Sequence, residues 1–247
     1  MISIRSIRDF YAFEQHVKTC RAQRGLPMVD AWYQVPVFYF SNPASVIGDG
    51  DTVWAPQSSL ELDFELEIAA IIGKEAMDLP ADDSAMECVE GFVIYNDFSA
   101  RDLQRKEMAV GLGPSKGKDF ANSFGPRIVP WQGLKDCYSN GKLRLWMQAR
   151  INGKLVSDAN ADSMYWTWPQ LLSHASRDTR LLPGDAIGSG TVGTGCILEL
   201  TPEVVGGWLK PGDVIELTVE RLGTLANRII ERPSGNVDIG GFSSNKS

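Results

Sequence analysis

Residues 62–73 read LDFELEIAAIIG, with Asp63, Glu65 and Glu67 at alternate positions and then the run Ile68-Ala69-Ala70-Ile71-Ile72. Alternation has a period of two, so a strand here points all three carboxylates to one face and Phe64, Leu66 and Ile68 to the other. The apolar run that follows carries the strand into a core. Same-face neighbours on a strand are roughly 6.5–7 Å apart, so three carboxylates repel one another. Burying them unpaired is costly. Either positive charge meets this face or water does.

The surrounding chain is rich in turns. It has 24 glycines and 13 prolines in 247 residues, which predicts much β structure. Residues 9–24, DFYAFEQHVKTCRAQR, read as a helix ending near Gly25 and Pro27. Residues 35–48 read as a strand and turn, and residues 83–108 as a short helix, a buried strand over 91–96 and a second helix. Ser99, with Asp102 three residues on, has capping-box spacing for that second helix. Residues 111–130 hold too many glycines and prolines for regular structure and read as a long loop. Strands around 142–151 and 154–157 flank an Asn152-Gly153 hairpin turn, and Pro169–Ser176 reads as a short helix. Two Pro-Gly-Asp turns each precede a strand. The whole predicts one α+β, strand-rich domain.

Composition narrows the function classes. The chain is 43% hydrophobic and 22% charged, with a net charge of −7. That balance disfavours nucleic-acid and anionic-membrane partners. No apolar run is long enough to span a bilayer, and the start MISIRSIRDF lacks the apolar core of a signal peptide, so the expected location is cytoplasmic. Cys20, Cys88, Cys137 and Cys196 are widely and irregularly spaced, which reads as reduced, mostly buried thiols. With only His16 and His174, a His-rich zinc or non-haem iron site is not expected.

Four features bear on chemistry. Gly188-Ser-Gly190-Thr-Val-Gly193 matches G-x-G-x-x-G, but Cys196–Leu200 after it reads as a strand, whereas a dinucleotide site needs a helix there. Glu65 and Glu67, with Asp97 at the end of a buried strand, form an oxygen-only donor set suited to Mg²⁺, Mn²⁺ or Ca²⁺; the alternative is a solvated, salt-bridged face. Asp63 lies at the outer end of that strand. Asp9 and His16 are seven residues apart, so on one helix they share a face; His16 is then a ligand, a general base or a packing residue. Lys116 and Lys118 sit in the glycine-rich loop, as oxyanion donors or as solvated lysines.

The motifs LDFELEIAAIIG, YNDFSARDLQ, GPSKGKDF and GSGTVGTGCILEL, in that order, resemble the fumarylacetoacetate hydrolase family. The likeness runs from about residue 9 to about residue 222. It implies a mixed β-roll of the family's C-terminal domain type: a single catalytic domain with an N-terminal helix and lid over about 9–30, a core over about 35–222 and a loose tail over about 232–247. The resemblance implies a homodimer. It also implies a divalent cation held by Asp9, Glu65, Glu67 and Asp97, with His16 as catalytic base oriented by Glu199. Lys118 and Gln104 match the donors around the reacting group, and Tyr11, Arg24, Arg101 and Thr191 match substrate-side positions.

The chain departs from the pattern at two places. Thr19 stands where smaller relatives carry the glutamate of a His-x-x-Glu pair, and Met108 lies near where a substrate-facing tyrosine often follows the S-A-R-D helix. The implied activity is hydrolysis of a C–C bond in an acylpyruvate or other β-diketo acid, such as fumarylpyruvate or fumarylacetoacetate. The alternatives are a 2-oxo acid decarboxylase, isomerase or hydratase of aromatic catabolism, and a binding protein without activity.

Overall fold

The computed structural model describes residues 3–234; residues 235–247, most of the expected loose tail, lie outside the described residues. In chain order the principal elements are β1 (Ser6–Phe10), α1 (Glu14–Ala22), β2 (Phe38–Ser41), β3 (Val46–Ile47), β4 (Thr52–Val53), β5 (Leu66–Ile72), β6 (Val89–Asp97), α2 (Arg101–Val110), β7 (Asn122–Phe124) and β8 (Val129–Pro130). They continue with β9 (Trp146–Ile151), β10 (Lys154–Asn160), α3 (Trp168–Ser176), β11 (Asp185–Gly188), α4 (Ile197–Leu200), β12 (Val214–Val219) and β13 (Gly223–Ile229).

Two sheets carry the fold. The larger runs β2-β1-β11-β5-β6-β7-β3, with β8 also on β6; the second runs β10-β9-β12-β13-β4. Parallel pairs (β1 with β11, β7 with β3, β13 with β4) sit among antiparallel ones. This is the α+β, strand-rich mixed architecture expected.

Period two governs β5. Leu66, Ile68, Ala70 and Ile72 enter the main core, which Met147, Ala149, Ile215 and Leu217 reach from the second sheet. Ala69 and Ile71 face a smaller cluster with Ile7, Val93, Tyr95 and Phe124. Each buried Leu or Ile contributes about 1.5–3 kcal/mol. Both faces are covered, so the acidic face is not open to water: Asp63 and Glu67 are fully buried and Glu65 is 4% exposed.

Several local expectations hold. Asn152 and Gly153 both take positive φ, 53° and 77°, as the tight hairpin between β9 and β10 requires. The Pro-Gly-Asp turns precede β11 and β12. All four cysteines are free. No helix among the described residues is long and apolar enough to cross a membrane.

Others are corrected. The first helix begins at Glu14, and Asp9 lies instead on β1, which pairs with β11 and β2. Those partners are remote in sequence, and their ladder overrides the local helical pattern. The acidic strand is broken: Leu62–Asp63 pairs with Ser99–Ala100 in a separate ladder, and β5 starts at Leu66. Ser99 therefore does not cap α2; its hydroxyl donates to the Asp97 carbonyl, and Asp102 accepts from Ser59 Oγ and Leu60 N. The 111–130 segment contains β7 and β8, both paired to β6. Residues Ile197–Leu200 form a one-turn helix, not a strand. The dinucleotide reading still fails, because the Ile197 and Leu198 amides at that helix's start donate to the Asp63 carboxylate.

Candidate functional site

Register brings the carboxylates together. On β1, Asp9 is opposite Gly188 of β11; on β5 and β6, Glu67 is opposite Tyr95, one step from the Leu66–Asn96 pair; Asp97 ends β6 opposite Asn122. Asn96 Oδ1 accepts the Glu65 amide at 3.0 Å, which fixes the kink between the two ladders. Carboxylate oxygens of Asp9, Glu65 and Glu67 lie within 4.8 Å of one another. Asp97 joins them through shared partners. Tyr39 Oη donates to Asp9 Oδ2 at 3.0 Å and also to Asp97 Oδ2, and Lys118 Nζ donates to Asp97 Oδ2 at 2.7 Å and to Glu65 Oε2. Thr191 Oγ1 donates to Glu67 Oε1 at 3.3 Å.

Positive charge does meet the acidic face. Arg101, the first residue of α2, donates from Nε to Asp63 Oδ2 and from Nη2 to Glu65 Oε1, both at 2.8 Å. Its Nη1 holds Gln104 Oε1 at 3.0 Å. Asp63 is thereby consumed by Arg101 and α4, outside the cluster. Lys116, by contrast, is solvent-exposed and pairs with Asp119.

The charge does not close. Five buried carboxylates (Asp9, Asp63, Glu65, Glu67, Asp97) face two permanent cations, Arg101 and Lys118. Burial, only partly offset by Lys118, pushes Asp97 up to about 8. Burial also raises Asp9, and burial with the charges of Asp9, Glu65 and Asp97 drives Glu67 well above the usual carboxylate range. Glu65 alone is held low: burial raises it, but Lys118, Arg101 and His16 outweigh that. Glu67 Oε2 and Asp97 Oδ1 are buried without any hydrogen-bond partner. An oxygen-only donor set with surplus negative charge and two orphaned carboxylate oxygens fits a hard divalent cation.

Next to this cluster, α1 presents His16, 3% exposed. Its Nδ1 lies 3.2 Å from Glu199 Oε2. The Tyr11 ring meets the imidazole edge-on, with centroids 5.3 Å apart. Burial lowers the imidazole, contacts with Cys196 and Glu199 raise it, and the net is a rise to about 10. Arg24 is exposed on the outer end of the α1 segment, where its Nε donates to the Cys20 carbonyl at 3.0 Å.

Sequence reasoning missed three participants. Tyr39 bridges Asp9 and Asp97 from an aromatic strand with no polar signature. Asn122 ties Tyr95, Ser41 and Ser45 behind the cluster. Gly188 makes room for Asp9: a Cβ there would be 2.3 Å from Asp9 Oδ1.

A family model described as Fumarylacetoacetate (FAA) hydrolase C-terminal matches residues 5–230. The chain is 33% identical over 198 residues to an oxaloacetate tautomerase of Bacillus subtilis, covering 78% of this chain and 61% of that protein. It is 31% identical over 249 residues to the fumarylacetoacetase of Oryza sativa, covering 81% and 58%. The chain thus spans about three-fifths of the length of these curated relatives. Among solved structures, fumarylpyruvate hydrolase from Pseudomonas aeruginosa in complex with Mn²⁺ and pyruvate has a TM-score of 0.75 at 21% identity, covering 92% of this chain and 90% of that one. Fumarylacetoacetate hydrolase from Exiguobacterium antarcticum has a TM-score of 0.73 at 28% identity, covering 94% and 76%. With a family match over nearly the whole described chain and the fold shared, this protein belongs to the fumarylacetoacetate hydrolase family.

Proposed function

We propose that this protein is a metal-dependent hydrolase that cleaves a C–C bond in an acylpyruvate or a similar β-diketo acid. The observation that carries the reading is the juxtaposition of an oxygen-only carboxylate cluster with a buried His–Glu pair. Asp9, Glu65, Glu67 and Asp97 are the residues to hold the cation, Mg²⁺ or Mn²⁺ by donor chemistry. When bound, such an ion supplies fixed positive charge that orients a diketo acid and polarises its oxygens.

The chain's own residues do the rest. His16 takes a proton from water, and Glu199 holds the imidazole and balances the imidazolium that results. Positive charge among the carboxylates works against the raised affinity of His16 for its proton, toward the neutral base form. The hydroxide attacks the carbonyl carbon, the C–C bond breaks, and the electron pair goes to a conjugated enolate. Lys118 Nζ and the Gln104 amide are the donors for that developing charge. Arg101 positions Gln104 and Glu65 at once. Tyr11, beside His16, and Thr191, on Glu67, line the substrate side.

A second reading, a 2-oxo acid isomerase, tautomerase or decarboxylase, is favoured by the likeness to the Bacillus subtilis oxaloacetate tautomerase. It uses the same proton handling without cleavage by water. A panel of acylpyruvates and 2-oxo acids with Mg²⁺ or Mn²⁺, followed by product identification, tests both. Two carbon fragments support the hydrolase. A shifted double bond, a changed keto–enol ratio or released CO₂ supports the second reading, and no turnover of any member sinks both.

A further inference from the structure

The carboxylate cluster uses only oxygen donors, yet a few residues away the chain gathers a group of the opposite chemical character. His16 and Cys20, one turn apart on α1, meet Cys196 at the entrance of α4, and one donor atom from each lies within 4.8 Å of the other two. All three residues are buried, at 3%, 5% and 0% exposure. Cys20 Sγ is 3.8 Å from either His16 ring nitrogen. Glu199, three residues after Cys196, places Oε2 3.2 Å from His16 Nδ1, and its side chain is 2% exposed. Apart from that ion-pair contact with His16, neither Glu199 carboxylate oxygen has a hydrogen-bond partner.

The 3.8 Å between Cys20 Sγ and the imidazole and the 3.2 Å between Glu199 Oε2 and Nδ1 are close to ligand–ligand spacings of a tetrahedral site, and Cys196 lies within 4.8 Å of His16 and Cys20. With Zn–S near 2.3 Å and Zn–N and Zn–O near 2.0–2.2 Å, tetrahedral geometry sets ligand atoms about 3.4–3.8 Å apart. Sulfur and imidazole donors select thiophilic ions and reject Mg²⁺ and Ca²⁺. We infer that His16, Cys20, Cys196 and Glu199 form a second metal site, specific for Zn²⁺ or a similar thiophilic divalent ion and distinct from the carboxylate cluster. Occupying it releases to solvent the two thiol protons and the extra proton the imidazolium carries, and places the imidazole lone pair so freed on the metal. His16 then has no lone pair for water, so the site is inhibitory. That last effect rests on the reading of His16 as base; the binding does not.

Co²⁺ serves as the optical probe, because thiolate ligation gives near-ultraviolet charge-transfer absorption that oxygen ligation does not. Reduced, chelator-treated protein is titrated with Co²⁺. The expected result is a thiolate-to-cobalt band that Zn²⁺ bleaches, that is lost in the Cys20→Ser/Cys196→Ser double variant, and that persists in Cys137→Ser and in Glu67→Gln. No band in the wild type overturns the inference, as does a band that survives in the double variant or vanishes in Cys137→Ser. Once a substrate is known, the ratio of rates with and without Zn²⁺ is measured in each variant. A large loss in the wild type that shrinks in the double variant is the expected inhibition, and equal ratios overturn it. A substrate panel that yields nothing defeats the proposed reaction and leaves the cobalt band as an independent test of the site.

Discussion

Gly188 of β11 lies so close against Asp9 of β1 that a Cβ at Gly188 would stand 2.3 Å from Asp9 Oδ1 and 3.1 Å from its Cγ. The two residues are register partners in a parallel ladder. Gly188 has no positive φ, so its backbone accepts alanine; the conflict is with a side-chain end that can swing aside. Gly188→Ala is expected to stay folded while Asp9 is turned out of the cluster. Mn²⁺ affinity then falls about tenfold or more, equivalent to about 1.4 kcal/mol, as read by electron paramagnetic resonance titration. Gly190→Ala makes the contrast: φ is +78° and the new Cβ would be 2.4 Å from the Phe10 carbonyl oxygen, a backbone conflict that lowers Tm instead.

Removing the proposed base, His16, is expected to separate chemistry from cation binding. His16→Ala is expected to cut kcat by about 10²–10⁴-fold, with Mn²⁺ affinity held, because no carboxylate oxygen is lost. Wild-type turnover by this variant would falsify the role given to His16. Glu199→Gln keeps the shape and removes the charge beside Nδ1. Since Glu199 is among the contacts that raise His16, its loss lowers the imidazole pKa, and the acidic limb of the pH–rate profile moves to lower pH. An unmoved limb separates Glu199 from the titrating group.

Arg101 is a buried bridge whose partners are unequal. Asp63 takes its Nε and also the Ile197 and Leu198 amides, so one carboxylate ties α2 to α4. Asp63→Ala strands a buried guanidinium edge and three amides, those of Phe64, Ile197 and Leu198, and the expected loss is about 3–5 kcal/mol, measured by urea unfolding with saturating Mn²⁺. Asp63→Asn keeps an acceptor and is expected to lose less. Equal losses would show that the hydrogen bonds at Asp63 matter little beyond its charge.

What the sequence reveals follows from range. The Asn152-Gly153 hairpin and the alternation over Leu66–Ile72 are local, and local periodicity and turn chemistry read them correctly, whereas the break before Leu66 depends on pairing with Ser99–Ala100 and is not legible. The placement of Asp9 is not local. Its strand exists because β2 and β11 flank it, one of them some 180 residues away along the chain, and nothing in DFYAFEQHV distinguishes that strand from a helix start. Cys196–Leu200 reads as a strand from its apolar residues, yet Asp63 organises it as a helical turn from far upstream. Tyr39 and the meeting of Cys20 with Cys196 leave no trace in spacing at all. Glu65, Glu67 and Asp97 were legible as a donor set from the strand pattern, and the family likeness added Asp9; the pairing of Arg101 with Asp63 and Glu65, which makes their burial tolerable, needed the fold.

The cluster's protons make stability depend on pH and on the cation together. Asp97 rises from 3.8 in the unfolded chain to about 8 in the fold, chiefly by burial. An acid raised on folding favours the folded state most fully below the unfolded value. That contribution is lost as pH climbs from 3.8 to about 8, where the unfolded chain has released a proton the folded one still holds. The slope is at most about 1.4 kcal/mol per pH unit for one group. A cation entering the cluster displaces such protons, so it binds more tightly as pH rises and restores what the rising pH removed. The gain in Tm on adding a fixed excess of Mn²⁺ is therefore expected to be larger at pH 8 than at pH 6, by differential scanning fluorimetry. Equal gains would mean that no proton leaves when the ion binds, so that Asp97, Asp9 and Glu67 are already ionised in the folded chain and the surplus charge is being met by something other than protonation.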